Sequence, residues 1–78
     1  MEQGNLLKRI TIIPGLMAGK PTIRGMRFTV GDILELLAAG VTNEEILQDF
    51  PFLQKEDIQA ALLYASLRTK NTIIINAA

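Results

Sequence analysis

Cysteine, histidine and tryptophan are absent from these 78 residues. Without cysteine no disulfide can staple the fold, and without cysteine or histidine no zinc cluster can form. The same absences leave no Ser-His-Asp or Cys-His nucleophilic system within the chain. Neither sign of charge is in excess, since eight basic and eight acidic side chains cancel. Long apolar runs are also missing: Leu36 to Val41 and Ala60 to Ala65 fall far short of the ~20 residues of a membrane span. Met1 is followed by Glu2, Gln3 and Asn5, not by the basic start and apolar run of a secretory leader. A cytoplasmic protein is expected.

Aliphatic side chains are plentiful. Leucine, isoleucine, valine and phenylalanine together make up a third of the chain, which argues against disorder. One domain over residues 1–78 is the expectation. A chain this short hides only about 60% of the surface it exposes when unfolded, so it needs a dense core or a partner.

The charges are balanced in sum and divided in sequence. Residues 1–31 carry Lys8, Arg9, Lys20, Arg24 and Arg27 against Glu2. Residues 32–67 carry Asp32, Glu35, Glu44, Glu45, Asp49, Glu56 and Asp57 against Lys55. One basic and one acidic surface follow, open to different partners or to each other in a dimer.

Local signals divide the chain into three parts. Over residues 9–30, β-branched Ile10 to Ile13 and the Pro14-Gly15, Gly19-Lys20-Pro21 and Gly25 breaks predict short strands or hairpins. Over residues 30–68, a start signal recurs: Thr29 with Asp32, Thr42 with Glu45, and Gln54 with Asp57. Each pair is flanked by apolar residues that can staple the helix entry. Gln54 is the one poor cap. The acids also meet the positive end of each helix dipole. Ala39-Gly40 and Phe50-Pro51 end the first two helices, and the third runs to about Arg68. Over residues 71–76 the composition is that of a strand, which needs a pairing partner in its own chain or in a second one. The fold class is therefore mainly α with short β segments (α+β). A tri-helical, helix-turn-helix core is preceded by β hairpins and followed by a short C-terminal strand.

The third helix shows two apolar faces. Ile58, Ala61, Leu62 and Ala65 follow core spacing, and Ala60, Leu63, Tyr64 and Leu67 repeat it next door. Two short helices can hardly cover both. A homodimer is expected, with Ala60, Leu63, Tyr64, Leu67, Ile73 and Ile75 at its interface.

Chemistry-bearing patterns are few. Gly15 to Pro21 is one residue short of a nucleotide-binding loop, and Pro21 stands where a Ser or Thr should hold the metal. Carboxylates that share helix faces, such as Asp32 with Glu35, read as first-turn acids and solvated surface, so no catalytic residue and no cofactor are expected. The basic stretch from Lys20 to Arg27 could track a nucleic-acid backbone or pair with the acidic helices. At the start of the third helix Gln54 and Gln59 could reach bases, but Glu56 and Asp57 would face phosphates and repel them.

The segment Gly19-Lys20-Pro21-Thr22-Ile23-Arg24-Gly25-Met26-Arg27-Phe28-Thr29-Val30 resembles the G-K-P-x-I-x-G-T-R-x-x-V signature of the bacterial domain-of-unknown-function family numbered 433. Similarity continues through Asp32 to Gly40, Glu44 to Leu47, Phe50-Pro51 and Asp57 to Ala65. It implies a homeodomain-like helix-turn-helix core and an antitoxin-like role beside a PIN-like nuclease, with DNA as a further partner for autorepression. It places emphasis on Lys20, Arg24, Gly25 and Arg27 as the partner- or nucleic-acid-binding set. Met26 replaces the usual Thr, and Ile13 stands where an Asp before the Pro is common. In that reading Arg24 or Arg27 enters the nuclease's acidic metal cluster. A stand-alone DNA-binding regulator and a dimeric interaction module are the alternatives.

Overall fold

The expected capping signals set the helix starts. In a computed structural model, which describes residues 3–70, the Thr29 hydroxyl accepts from the Asp32 N–H at 2.9 Å, and the Asp32 carboxylate accepts from the Thr29 N–H at 2.9 Å. Thr42 and Glu45 repeat this capping box at 3.1 and 2.9 Å. Thr42 holds the Glu45 carboxyl below its ordinary range, through its backbone N–H first and its hydroxyl second. These boxes open α2 (Val30–Ala38) and α3 (Asn43–Asp49). Helix α2 ends where the Gly40 N–H reaches the Leu37 carbonyl and the Val41 N–H reaches the Leu36 carbonyl, both at 3.0 Å. That bonding needs a left-handed residue, and Gly40 supplies it at φ 89°. Helix α3 stops at Phe50, which Pro51 forces out of helical conformation. Helix α4 (Lys55–Lys70) is the longest and packs against both.

Ahead of these helices lie α1 (Gln3–Leu7), β1 (Ile10–Thr11), a single 3-10 turn (Met17–Gly19) and β2 (Thr22–Ile23). The strands pair antiparallel, Ile10 opposite Ile23 and Thr11 opposite Thr22. The threonine hydroxyls meet at 2.8 Å, so the fully buried Thr22 is satisfied. The fold is α+β, as expected. The strand expected over residues 10–13 pairs only as far as Thr11, and Ile12 and Ile13 are 59% and 41% exposed. Their β-branched side chains favour extended backbone but meet no further strand.

Strand β2, the three later helices and the turn before α4 build the hydrophobic centre. Ile23 enters from β2, Val30 and Ile33 from α2, Ile46 from α3, Leu53 from the turn, and Ile58 and Ala61 from α4. Burying each large aliphatic side chain stabilises by roughly 1.5–3 kcal/mol.

The faces of α4 differ from expectation. Leu62, placed in the core by spacing, is 48% exposed, and Ala60, placed at a dimer interface, is fully buried. The buried arc runs through Asp57, Ile58, Ala60 and Ala61, with Tyr64 packed against the core. Apolar spacing alone leaves out Asp57, and the observed arc lies roughly one residue, ~100° on a helix, from the expected one. Helix α1 and strand β1 also pack along α4. Leu63 and Leu67 are half-buried. The expected strand over 71–76, with Ile73 and Ile75, lies outside the described residues.

Candidate functional site

The basic stretch folds as a hairpin turn. The Met26 N–H bonds the Ile23 carbonyl at 2.8 Å, and the two residues between, Arg24 and Gly25, have φ of 47° and 72°. Successive left-handed residues are what a type I′ turn demands, and glycine meets that demand without strain. Arg24 does so only against a steric cost, which its side chain helps to offset.

The Arg24 guanidinium turns inward onto Asp57. Its Nε and Nη2 donate to the two carboxylate oxygens at 3.1 and 2.8 Å, a bidentate fork, and Nη2 also reaches the Phe52 carbonyl at 2.8 Å. Arg9 adds a bond to Asp57 at 2.9 Å and another to the Gln54 side chain at 2.8 Å. The Gln54 N–H donates to the same carboxylate at 2.8 Å, so Gln54 and Asp57 form half a capping box. Asp57 has no exposed side-chain surface, whereas Arg9 and Arg24 remain 26% and 34% exposed. Burial pushes the Asp57 carboxyl up, but the hydrogen bonds from Arg24, the Gln54 N–H and Arg9 outweigh it and hold the group below its ordinary range. The bond to Asp57 raises Arg24 in turn.

This network ties the hairpin to the start of α4 and gives Arg24 and Gln54 partners within the fold. Asp57 does not face outward to repel phosphates; it is neutralised inside the fold.

Arg27, on the far side of the turn, is exposed and has no hydrogen bond or ion pair among the described residues. It borders a shallow depression of about 250 Å³ with Met26, Phe28 and Phe52. The Phe28, Phe50 and Phe52 rings form a triangle with centroids 4.9, 5.6 and 6.1 Å apart. Phe52 is 47% exposed. A second depression of about 390 Å³ lies on the other side of Phe28, lined by Asp32, Glu35, Leu36 and Phe50.

Lys20 lies elsewhere, on a groove of about 480 Å³ with Pro21, Val30, Leu34, Tyr64 and Ala65. Arg68 stacks over Tyr64 there, 5.9 Å from the ring centroid. The fold therefore separates Lys20 from Arg27, which lies beside the aromatic triangle, while Gly25 stays in the turn with its N–H donating to the Thr11 hydroxyl at 2.9 Å. Gln59 is exposed on α4. Sequence reasoning missed Asp57, Arg9 and Phe52 as site-forming residues. The signal for Asp57 was the repeated three-residue spacing after Gln54.

Among the described residues, no group of three or more His, Cys, Asp or Glu side chains could hold a metal ion. None of the described helices is long and apolar enough to cross a membrane.

Residues 19–30, the segment of the sequence signature noted above, supply β2, the left-handed Arg24-Gly25 turn and the cap of α2. Residues 10–65 match the family described as protein of unknown function (DUF433), and the chain belongs to that family. It is also similar to the uncharacterized protein y4eO of Sinorhizobium fredii strain NGR234, with 38% identity over 56 residues. That match covers 72% of this chain and 25% of the relative, so the chain spans about a quarter of its relative's length. No solved structure matches the chain.

Proposed function

We infer that this protein is a non-enzymatic, antitoxin-like binding partner of a PIN-like nuclease, acting in the cytoplasm, with Arg27 as its principal contact. The observation that carries this reading is the unequal use of two hairpin arginines. Arg24 is held by Asp57, while Arg27 stands exposed beside the half-exposed ring of Phe52. An exposed arginine flanked by an aromatic anchor is the composition of an interface hot spot. Carboxylates such as those of a metal-binding cluster are groups a guanidinium recognises by charge-assisted bidentate bonds.

The test is co-purification from the native cell followed by calorimetry. A stoichiometric nuclease should come with the tagged chain, and Arg27→Ala should weaken the complex by about thirtyfold or more. Recovery of the bare chain alone would sink the reading. Arg24→Ala is not informative here, because it disturbs the fold.

A second reading, DNA binding through α3 and α4 as a helix-turn-helix, is favoured by one observation. The Asp57 charge that would oppose phosphates is buried and paired, while Lys55 and Gln59 stay exposed at the start of α4. Binding that falls steeply with added salt supports it, because each phosphate contact releases counterions.

A further inference from the structure

The aromatic triangle is flanked by opposite charges. Phe28 borders two depressions, one carrying Arg27 and the other carrying Glu35. Asp32, the other carboxylate of the second depression, is committed to the Thr29 capping box. Glu35 is exposed, and its side chain has no bond among the described residues. Arg27 and Glu35 do not pair with each other within the chain. An apolar centre with a free cation on one side and a free anion on the other is self-complementary under a two-fold rotation. Each Arg27 then faces the partner's Glu35, and the rings of Phe52 and Phe28 meet their counterparts across the axis.

We propose that the Phe28–Phe50–Phe52 face is the surface on which a second copy of this chain docks, with two symmetric Arg27–Glu35 pairs closing its rim. The occupant is a second copy because the two charges, unpaired among the described residues, match each other in sign and number. A partner of a single charge would leave one of them facing its like or facing nothing. The proposal moves self-association from α4, much of whose second face is covered within the chain, to the hairpin side of the molecule. It needs no assumption about a nuclease, but it buries the same Arg27 and Phe52, so a second copy and a nuclease would compete for this face.

Charge exchange tests it on the full chain, by sedimentation velocity with circular dichroism as a check of folding. The wild type should sediment as a dimer. Arg27→Glu and Glu35→Arg should each weaken the dimer roughly a hundredfold or more, because each sets like charges face to face twice. Mixing the two single variants should restore a dimer containing one chain of each, and the double variant should restore it alone. A monomeric wild type would overturn the proposal. So would a dimer indifferent to both substitutions, or a mixture that stays monomeric. Glu35→Arg breaks the dimer but leaves Arg27 in place for a nuclease, so the two readings can fail separately.

Discussion

Arg24 and Arg27 stand three residues apart on one hairpin, carry the same charge, and differ in what meets them. Arg24 sits at the turn, in a left-handed conformation, with a buried carboxylate directly beneath it. Arg27 lies past the turn, where the chain runs toward Thr29 and faces an open depression lined by rings. Charge arithmetic treats them alike. The fold uses one as an internal cross-link and presents the other at the surface.

The comparison can be broken most forcefully at Arg24. Arg24→Ala strands a fully buried carboxylate with Arg9 and one N–H, and should destabilise by about 3–5 kcal/mol, read from the urea midpoint. Acid sharpens the same point without a mutation. The folded-state Asp57 carboxyl is depressed, so the unfolded chain takes up the proton more readily and stability rises with pH through that window. The contribution of Asp57 should be fully present above about pH 5, and lost as pH falls below the unfolded value of ~3.9 toward the lower folded value. A midpoint flat from neutral pH to pH 3 would contradict the Arg24–Asp57 weld. Thr42→Ala tests a purely local device for contrast, and removal of its cap should cost about 1 kcal/mol in a melting curve. Arg27→Ala is the smallest effect, within about 0.5 kcal/mol of wild type. A large loss of stability there would mean that Arg27 is structural after all.

What could be read in the sequence was what is local. The Thr29–Asp32 and Thr42–Glu45 boxes, the Gly40 stop and the Pro51 stop each depend on residues within a few positions, and all stand where the pattern put them. Helix α1 gave no comparable signal, since Gly4 and Asn5 are poor helix formers and the element is five residues long. Its docking on α4 is a tertiary event. Asp57 shows the limit most clearly. Its spacing after Gln54 marked it as a first-turn acid, and it does accept the Gln54 N–H. Nothing nearby in sequence announced that two arginines would meet it, and apolar spacing alone does not count a buried carboxylate among the core positions of α4. The basic first third and acidic remainder did allow such pairing, but could not name the partners. The aromatic triangle was equally hidden, because Phe28 belongs to the hairpin and Phe50 and Phe52 to a later turn.

The two arginines that Asp57 pairs with lie 33 and 48 residues away along the chain. Capped helices can begin to form from their own neighbourhoods, but these contacts wait until hairpin and α4 have been brought together, after most of the chain-closing entropy has been lost. The weld therefore belongs to the late side of the folding barrier. Loosening it should speed unfolding and leave the refolding rate nearly as it was. On this view the Arg24–Asp57 pair acts as a latch on an already assembled molecule, governing how long each folded copy persists more than how quickly it is made.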